Sequence, residues 1–182
     1  MVTSRSRVLA EIGLCAALGI ALHFVEGCFP PPLPLPGAKV GLANVATLVA
    51  LFLWGEKEAL FVVVLRVALG NLLSGTLLGI SFFLSLGGGL SSLVAMSCVR
   101  KHGSSPLWVS MGGALFHNLG QWVVALLYIQ SRGLLWYLPF LLGLSVPSGV
   151  FVGYLGTLIM RGRVLKQGRP DQKAVQRSTT ID

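Results

Sequence analysis

The chain has 182 residues, of which 54% are hydrophobic and 11% charged, well below the ~25% charged share of soluble domains, and its mean hydropathy is +0.79. Polar side chains cannot cover such a surface in water, so a soluble globular domain is excluded and lipid is the expected solvent. The net charge of +8 does not mark nucleic-acid binding, because the basic residues sit at segment ends rather than along one face.

Residues 1–7 are polar, with Arg5 and Arg7, and form a short N-terminal segment. Val8 to about Phe29 is the first predicted span. Gly13, Ala17 and Ala21 recur every four residues within it, which makes one helix face small enough for another helix to approach closely. That face serves either packing inside the protein or docking onto a partner subunit. Cys28 follows Val25-Glu26-Gly27, but Glu26 is a poor neighbour for a lipoprotein cleavage site, so the first span is expected to remain as a helix. Cys15, Cys28 and Cys98 show no CxxC and no metal-ligand spacing. No metal site and no cofactor are expected.

Pro30 to Gly37, PPPLPLPG, cannot be helical, because proline lacks the amide donor and restricts its predecessor. It is expected to be a stiff apolar connector over the mouth of the bundle. Ala38 to Trp54 is the second span, with Lys39 at its entrance and Asn44 inside. Gly55 to Glu58 is a turn. Ala59 to about Ser74 is the third span and carries Arg66 and Asn71. Ile80 to Val99 is the fourth, weakened at its middle by Gly87-Gly88-Gly89 and flanked there by Ser85, Ser91 and Ser92. Arg100 to Ser105 is a basic turn. Pro106 to Gln130 is the fifth span, with His117, Asn118 and Gln121. After the Ser131–Gly133 turn, Leu134 to Met160 is the sixth, with Pro139 and Pro147 as expected kinks. The domain is therefore residues 8–160, an all-α integral membrane bundle of six transmembrane helices, followed by a basic, disordered tail over 161–182.

Six spans place both termini on one side. Of the 14 lysines and arginines, all but Lys39, Arg132 and Arg66 fall on the side of the termini, so the positive-inside rule makes both ends cytoplasmic.

Arg66 is the costliest residue in this arrangement. It lies near the middle of its span, and at ~1.5 Å per residue that is near mid-bilayer, where a guanidinium costs at least ~2.5–3.5 kcal/mol on insertion scales. Glu11 and Glu26 sit nearer the inner and outer ends. Two readings stay open: Arg66 bonds protein groups (carbonyls, Asn or Ser side chains, Glu11 or Glu26), or it holds an anionic ligand such as a carboxylate or phosphate. His117 lies at similar depth and shares a helix face with Gln121 four residues on. With Asn118 it makes a polar stripe that suits a cavity wall, and His23 could join from the first span. Gly87, Gly88 and Gly89 either expose backbone to a cavity or allow close helix packing.

Enzyme chemistry is not visible. Prenyl-diphosphate synthesis needs aspartate clusters to hold magnesium, and the aspartates here are Asp171 and Asp182, both in the tail. HExxH, GxSxG and paired carboxylates are absent, so no catalytic residue is assigned.

PGAKVGLANVATL, LRVALGNLLSGTLLG, FFLSLGGGLSS and FHNLGQ, in that order, resemble the Gx transporter family, whose members are often labelled heptaprenyl diphosphate synthase component I. The resemblance covers roughly residues 8–160. That family looks like a relative of the substrate-binding S-components of energy-coupling factor (ECF) transporters. The resemblance implies a six-helix subunit of the bacterial cytoplasmic membrane that binds a small molecule from outside and docks on a transmembrane subunit carrying two ATPases. It implies docking through the AxxxA of Ala17 and Ala21, and a lid in the loop from Pro30 to Lys39. The expected protein is a non-enzymatic importer subunit for a small, anionic organic molecule, vitamin-like or related to isoprenoid and quinone precursors. Its partners are that ligand, membrane lipid and the ECF subunits, with no nucleic acid. Arg66 would hold the anion. Asn44, Asn71, His117, Asn118, Gln121, Lys39 and the Gly87–Gly89 backbone would complete the site. The rival readings are a subunit of heptaprenyl diphosphate or quinone biosynthesis and a stand-alone carrier driven by an ion gradient.

Overall fold

A computed structural model describes residues 2–28 and 41–167. Among the described residues there are six α-helices, α1 (Val2–Cys28), α2 (Asn44–Leu53), α3 (Glu56–Leu73), α4 (Ile80–Lys101), α5 (Pro106–Ile129) and α6 (Leu138–Gln167), with a 3-10 turn at Arg132–Tyr137 before α6. The described residues contain no strand. Three stretches, Ser6–Cys28, Ile80–Lys101 and Gly133–Gly162, are long and apolar enough to cross a membrane. Large apolar side chains such as Leu14, Val94, Trp108, Leu127, Trp136 and Phe151 face outward, while Arg66, Asn44, Asn71, His117 and Gln121 are buried. That inversion of the water-soluble pattern is what a lipid solvent selects. The protein is an all-α membrane bundle.

The helices pack through glycines. At the α4–α5 crossing, Ser91 Oγ donates to Gly87 O at 2.7 Å in its own helix and lies 2.8 Å from Phe116 O in the other, and Gly120 lies directly over Gly87 and Ser91. On α6, Gly149 and Gly153 lie against the Met111 and Leu107 backbone of α5. On α1, Gly19 admits Ala46 and Arg66, and Cys15 Sγ donates to Ala46 O at 3.3 Å. At one end of the bundle Lys101 Nζ meets Glu56 Oε1 at 3.2 Å, and Arg100 sits over the Phe52 ring, 5.3 Å from its centroid. These exposed contacts are individually weak. They show that the turn after α2 and the turn after α4 share one end, as short antiparallel connections require.

Three expectations are corrected. The second span does not run from Ala38 to Trp54 as one helix. Helix α2 has 10 residues, about 15 Å at ~1.5 Å per residue, half of a ~30 Å hydrocarbon core. Gly41, at φ 86°, is in the left-handed region and sets the turn from which α2 starts, with Asn44 N and Val45 N donating to Gly41 O and Leu42 O. The triple glycine does not weaken the fourth helix: α4 runs unbroken through it, because each glycine is spent on a close neighbour. The sixth helix begins later, at Leu138, and reaches Gln167, so the tail expected from Arg161 starts as helix. Pro139 therefore falls in the first turn of α6, where a missing amide costs nothing, and it is Pro147 that lies inside the helix. The proline connector, Lys39 and residues 168–182 lie outside the described residues.

Candidate functional site

Helix α3 carries Arg66 into the centre of the bundle, where it is 2% exposed. Two glycines make its slot. A Cβ on Gly19 would come 3.4 Å from Arg66 Cδ, and one on Gly89 would come 3.4 Å from Nη2. Nη2 donates to Asn44 Oδ1 at 2.7 Å. Asn44 is the first residue of α2, so the short helix begins beside the guanidinium. Arg66 Nε has no hydrogen-bond partner among the described residues. A buried donor on a cation that lacks an acceptor is costly, and it is aimed where an anionic or carbonyl oxygen would be welcome.

The layer continues from Asn44 to α5. A Cβ on Gly41 would lie 3.1 Å from Asn44 Nδ2 and 3.6 Å from His117 Cδ2. His117 Nε2 lies 3.2 Å from Gln121 Nε2, one turn along the helix. A Cβ on Gly88 would come within 3.0 Å of both side chains. Arg66, Asn44, His117 and Gln121 thus form one buried polar layer, lined by Gly41, Gly88 and Gly89. It presents a permanent cation, two amides and an imidazole. That set can bind and orient a polar anion, and it contains neither a nucleophile–base pair nor paired carboxylates. Among the described residues no three His, Cys, Asp or Glu side chains gather as a metal site.

The structure places the remaining predicted residues elsewhere. Asn71 Nδ2 donates to Val67 O at 2.8 Å and meets His23 Nε2 at 3.2 Å, while its Oδ1 accepts from Thr76. It joins α1, α3 and the turn after α3. Asn118 donates to Leu141 O at 3.1 Å and Ser145 Oγ at 2.8 Å, so it ties α5 to α6. Gly87 faces Val124 and Gly120 and belongs to the α4–α5 crossing. Gly13, Ala17 and Ala21 are all exposed on α1, and a Cβ on Gly13 would meet nothing within 4 Å.

Asn118→Ala is expected to destabilise the protein by about 0.5–1 kcal/mol, the usual worth of one interhelical hydrogen bond in a membrane bundle. The reason is that Ser145 Oγ keeps its bond to Leu141 O and limits the loss. Thermal melting in detergent measures it.

Sequence reasoning missed Gly19 and Gly41, and it named Glu26 only as one candidate partner of Arg66, not as a group that holds the chain entering α2. Glu26 is buried, at 8% exposure, and its Oε1 accepts from the backbone amides of Gly41 and Leu42. Its signal was an acidic residue inside an otherwise apolar span, which demands a specific partner. The hydroxyls of Thr47, Ser92 and Ser110 are also buried without a hydrogen-bond partner among the described residues.

A family model described as heptaprenyl diphosphate synthase component I matches residues 15–159. No curated protein and no solved structure matches the chain.

Proposed function

The chain belongs to the heptaprenyl diphosphate synthase component I family, and we propose that it serves there as the membrane-embedded substrate-binding subunit of an ECF-type importer, not as an enzyme. Arg66, buried with Nε unpartnered and Nη2 on Asn44, is the observation that carries this reading. It anchors a small anionic organic molecule of vitamin or isoprenoid-precursor type. Asn44, His117 and Gln121 orient the ligand, and Gly41, Gly88 and Gly89 let these side chains and Arg66 pack close together. The bundle sits in a bacterial inner membrane with both ends in the cytoplasm, following the distribution of basic residues, and α2 enters it as a half-length helix.

The exposed small face of Gly13, Ala17 and Ala21 supports docking on a transmembrane partner, which must supply the ATPases. Tagged protein drawn from native membranes in mild detergent is expected to bring ATPase subunits in stoichiometric amounts. Ala17→Trp is expected to cut that recovery at least tenfold without lowering the melting temperature, because the position is exposed on α1. Recovery of the wild type alone would refute the ECF role.

The family's name supports a second reading, a membrane subunit of prenyl-diphosphate synthesis, and a diphosphate is an anion that Arg66 suits. Purified protein that elongates prenyl diphosphates with magnesium would establish that reading. The absence of aspartate from residues 1–170 weighs against it.

A further inference from the structure

The amides that Glu26 holds are not ordinary ones. Gly41 and Leu42 form the turn that leads into α2, and their carbonyls accept from Asn44 and Val45. These two amides lie just before Ala43, the N-cap of α2, and the partial positive charge at a helix start favours an anion beside it. Here that helix head is buried in the polar layer: Asn44, its first residue, bonds Arg66 Nη2, and Gly41 abuts both Asn44 and His117. A helix head and a guanidinium with an unpartnered Nε therefore share one interior region. Glu26 reaches that region from α1 and brings a carboxylate to it.

We propose that Glu26 is the resident anion of this site: in the empty protein it occupies the amides at the head of α2 and compensates Arg66, and an anionic oxygen group of the ligand binds by taking its place. This rests on the reading of Arg66 as the ligand anchor, and it adds what the site does when no ligand is present. An unliganded guanidinium and helix head would leave uncompensated positive charge in a low-dielectric interior. An internal carboxylate removes that penalty and sets a threshold: a ligand must offer an anion that competes with a tethered one. Neutral molecules of the same shape gain nothing from the exchange and are rejected.

The test uses the full chain purified in mild detergent and reads melting temperature at constant ionic strength, with chloride replaced by acetate or by inorganic phosphate. Glu26→Gln is expected to melt below wild type in chloride and to regain at least half of that loss in one of the two anions. Rescue by acetate assigns a carboxylate-type ligand group, and rescue by phosphate a phosphate-type group. Wild type is expected to respond to neither. Glu26→Gln/Arg66→Gln is expected to melt above Glu26→Gln in chloride, because removing the cation removes the need for its counter-charge. A Glu26→Gln protein that ignores both anions, or a double variant that only adds a second loss, would overturn the proposal.

Glu26→Asp keeps the charge while shortening the reach and serves where Glu26→Gln does not accumulate. It is expected to stay insensitive to both anions, and a response to either would overturn the role of charge. If the double-variant rescue holds but Arg66→Met still retains a co-purifying ligand, the pair is structural and it is the Arg66 anchor that fails.

Discussion

Gly120→Leu is expected to abolish the folded bundle. The glycine lies at the closest approach of α4 and α5, where a Cβ alone would already collide with Ser91 Oγ and with the backbone of Gly87. Backbone cannot rotate aside as a side chain can, so the helices must separate. Separation also breaks the contact from Ser91 Oγ to Phe116 O and moves His117 and Gln121 away from Gly88. Overpacking by a methylene or two costs ~1–3 kcal/mol in a close-packed core. A whole leucine side chain against backbone exceeds that and approaches the ~5–15 kcal/mol that holds a typical domain together. The expected readout is loss of the monodisperse peak in size-exclusion chromatography and of a cooperative melt. Gly120→Ala is expected to melt lower by roughly 1–3 kcal/mol. Gly143→Ala is the contrasting control. It is an exposed helical position where a Cβ meets nothing within 4 Å, so alanine is expected to be neutral or to stabilise by up to ~1 kcal/mol. Equal behaviour of the two alanine variants would refute the close crossing.

Arg66→Met is expected to separate folding from function. Methionine approximates the arginine stem in volume and removes a buried cation whose Nε has no partner, while losing one member of a buried charge pair costs up to ~3–5 kcal/mol. The carboxylate of Glu26 keeps its two amide partners, which holds the loss to the lower end of that range and leaves the variant folded. Binding should fare differently. Truncating one partner of a buried charge pair costs ~2–5 kcal/mol of affinity, which is about 30-fold or more. The measurement is mass spectrometry of small molecules released by heat from the purified protein: the species present in wild type should fall at least that far in Arg66→Met. A folded variant that carries the same molecule at the same occupancy would show that Arg66 serves the bundle alone.

Much of the architecture was legible because lipid imposes long apolar runs and the chain breaks them with short polar stretches at Gly55–Glu58, Arg100–Ser105 and Ser131–Gly133. The start of α2 was not. Ala38 to Trp54 is apolar apart from Lys39, Asn44 and Thr47, and nothing local distinguishes Gly41, which turns the chain, from Gly88, which sits in an unbroken helix. The surrounding helices make that distinction, through contacts remote in sequence. The site was legible in part for the same reason. Arg66 betrays itself by the cost of its charge, and His117 with Gln121 by their shared face. Asn118 is next to His117 in sequence but about 100° around a helix of 3.6 residues per turn, so the stripe divides: His117 looks toward Gly41 and Gly88, Asn118 toward Leu141 and Ser145. From the sequence, Asn44 was only one of several polar groups within reach of Arg66.

The half-length of α2 has a consequence for how the protein is made. A segment of 10 residues is too short to be released into lipid as an independent helix by a translocation channel, which favours about 20 apolar residues. Helix α3, which follows after a turn at Gly55, carries Glu56, Lys57 and Glu58 at its start and Arg66 at its centre, so it partitions poorly by itself. Neither is among the helices long and apolar enough to cross unaided. The two are expected to leave the channel together, as a helical hairpin in which Asn44 masks the guanidinium. The contact that organises the mature interior is then also the ticket for membrane integration. Losing Asn44 would register first as a failure of biogenesis, during synthesis, before any ligand is met.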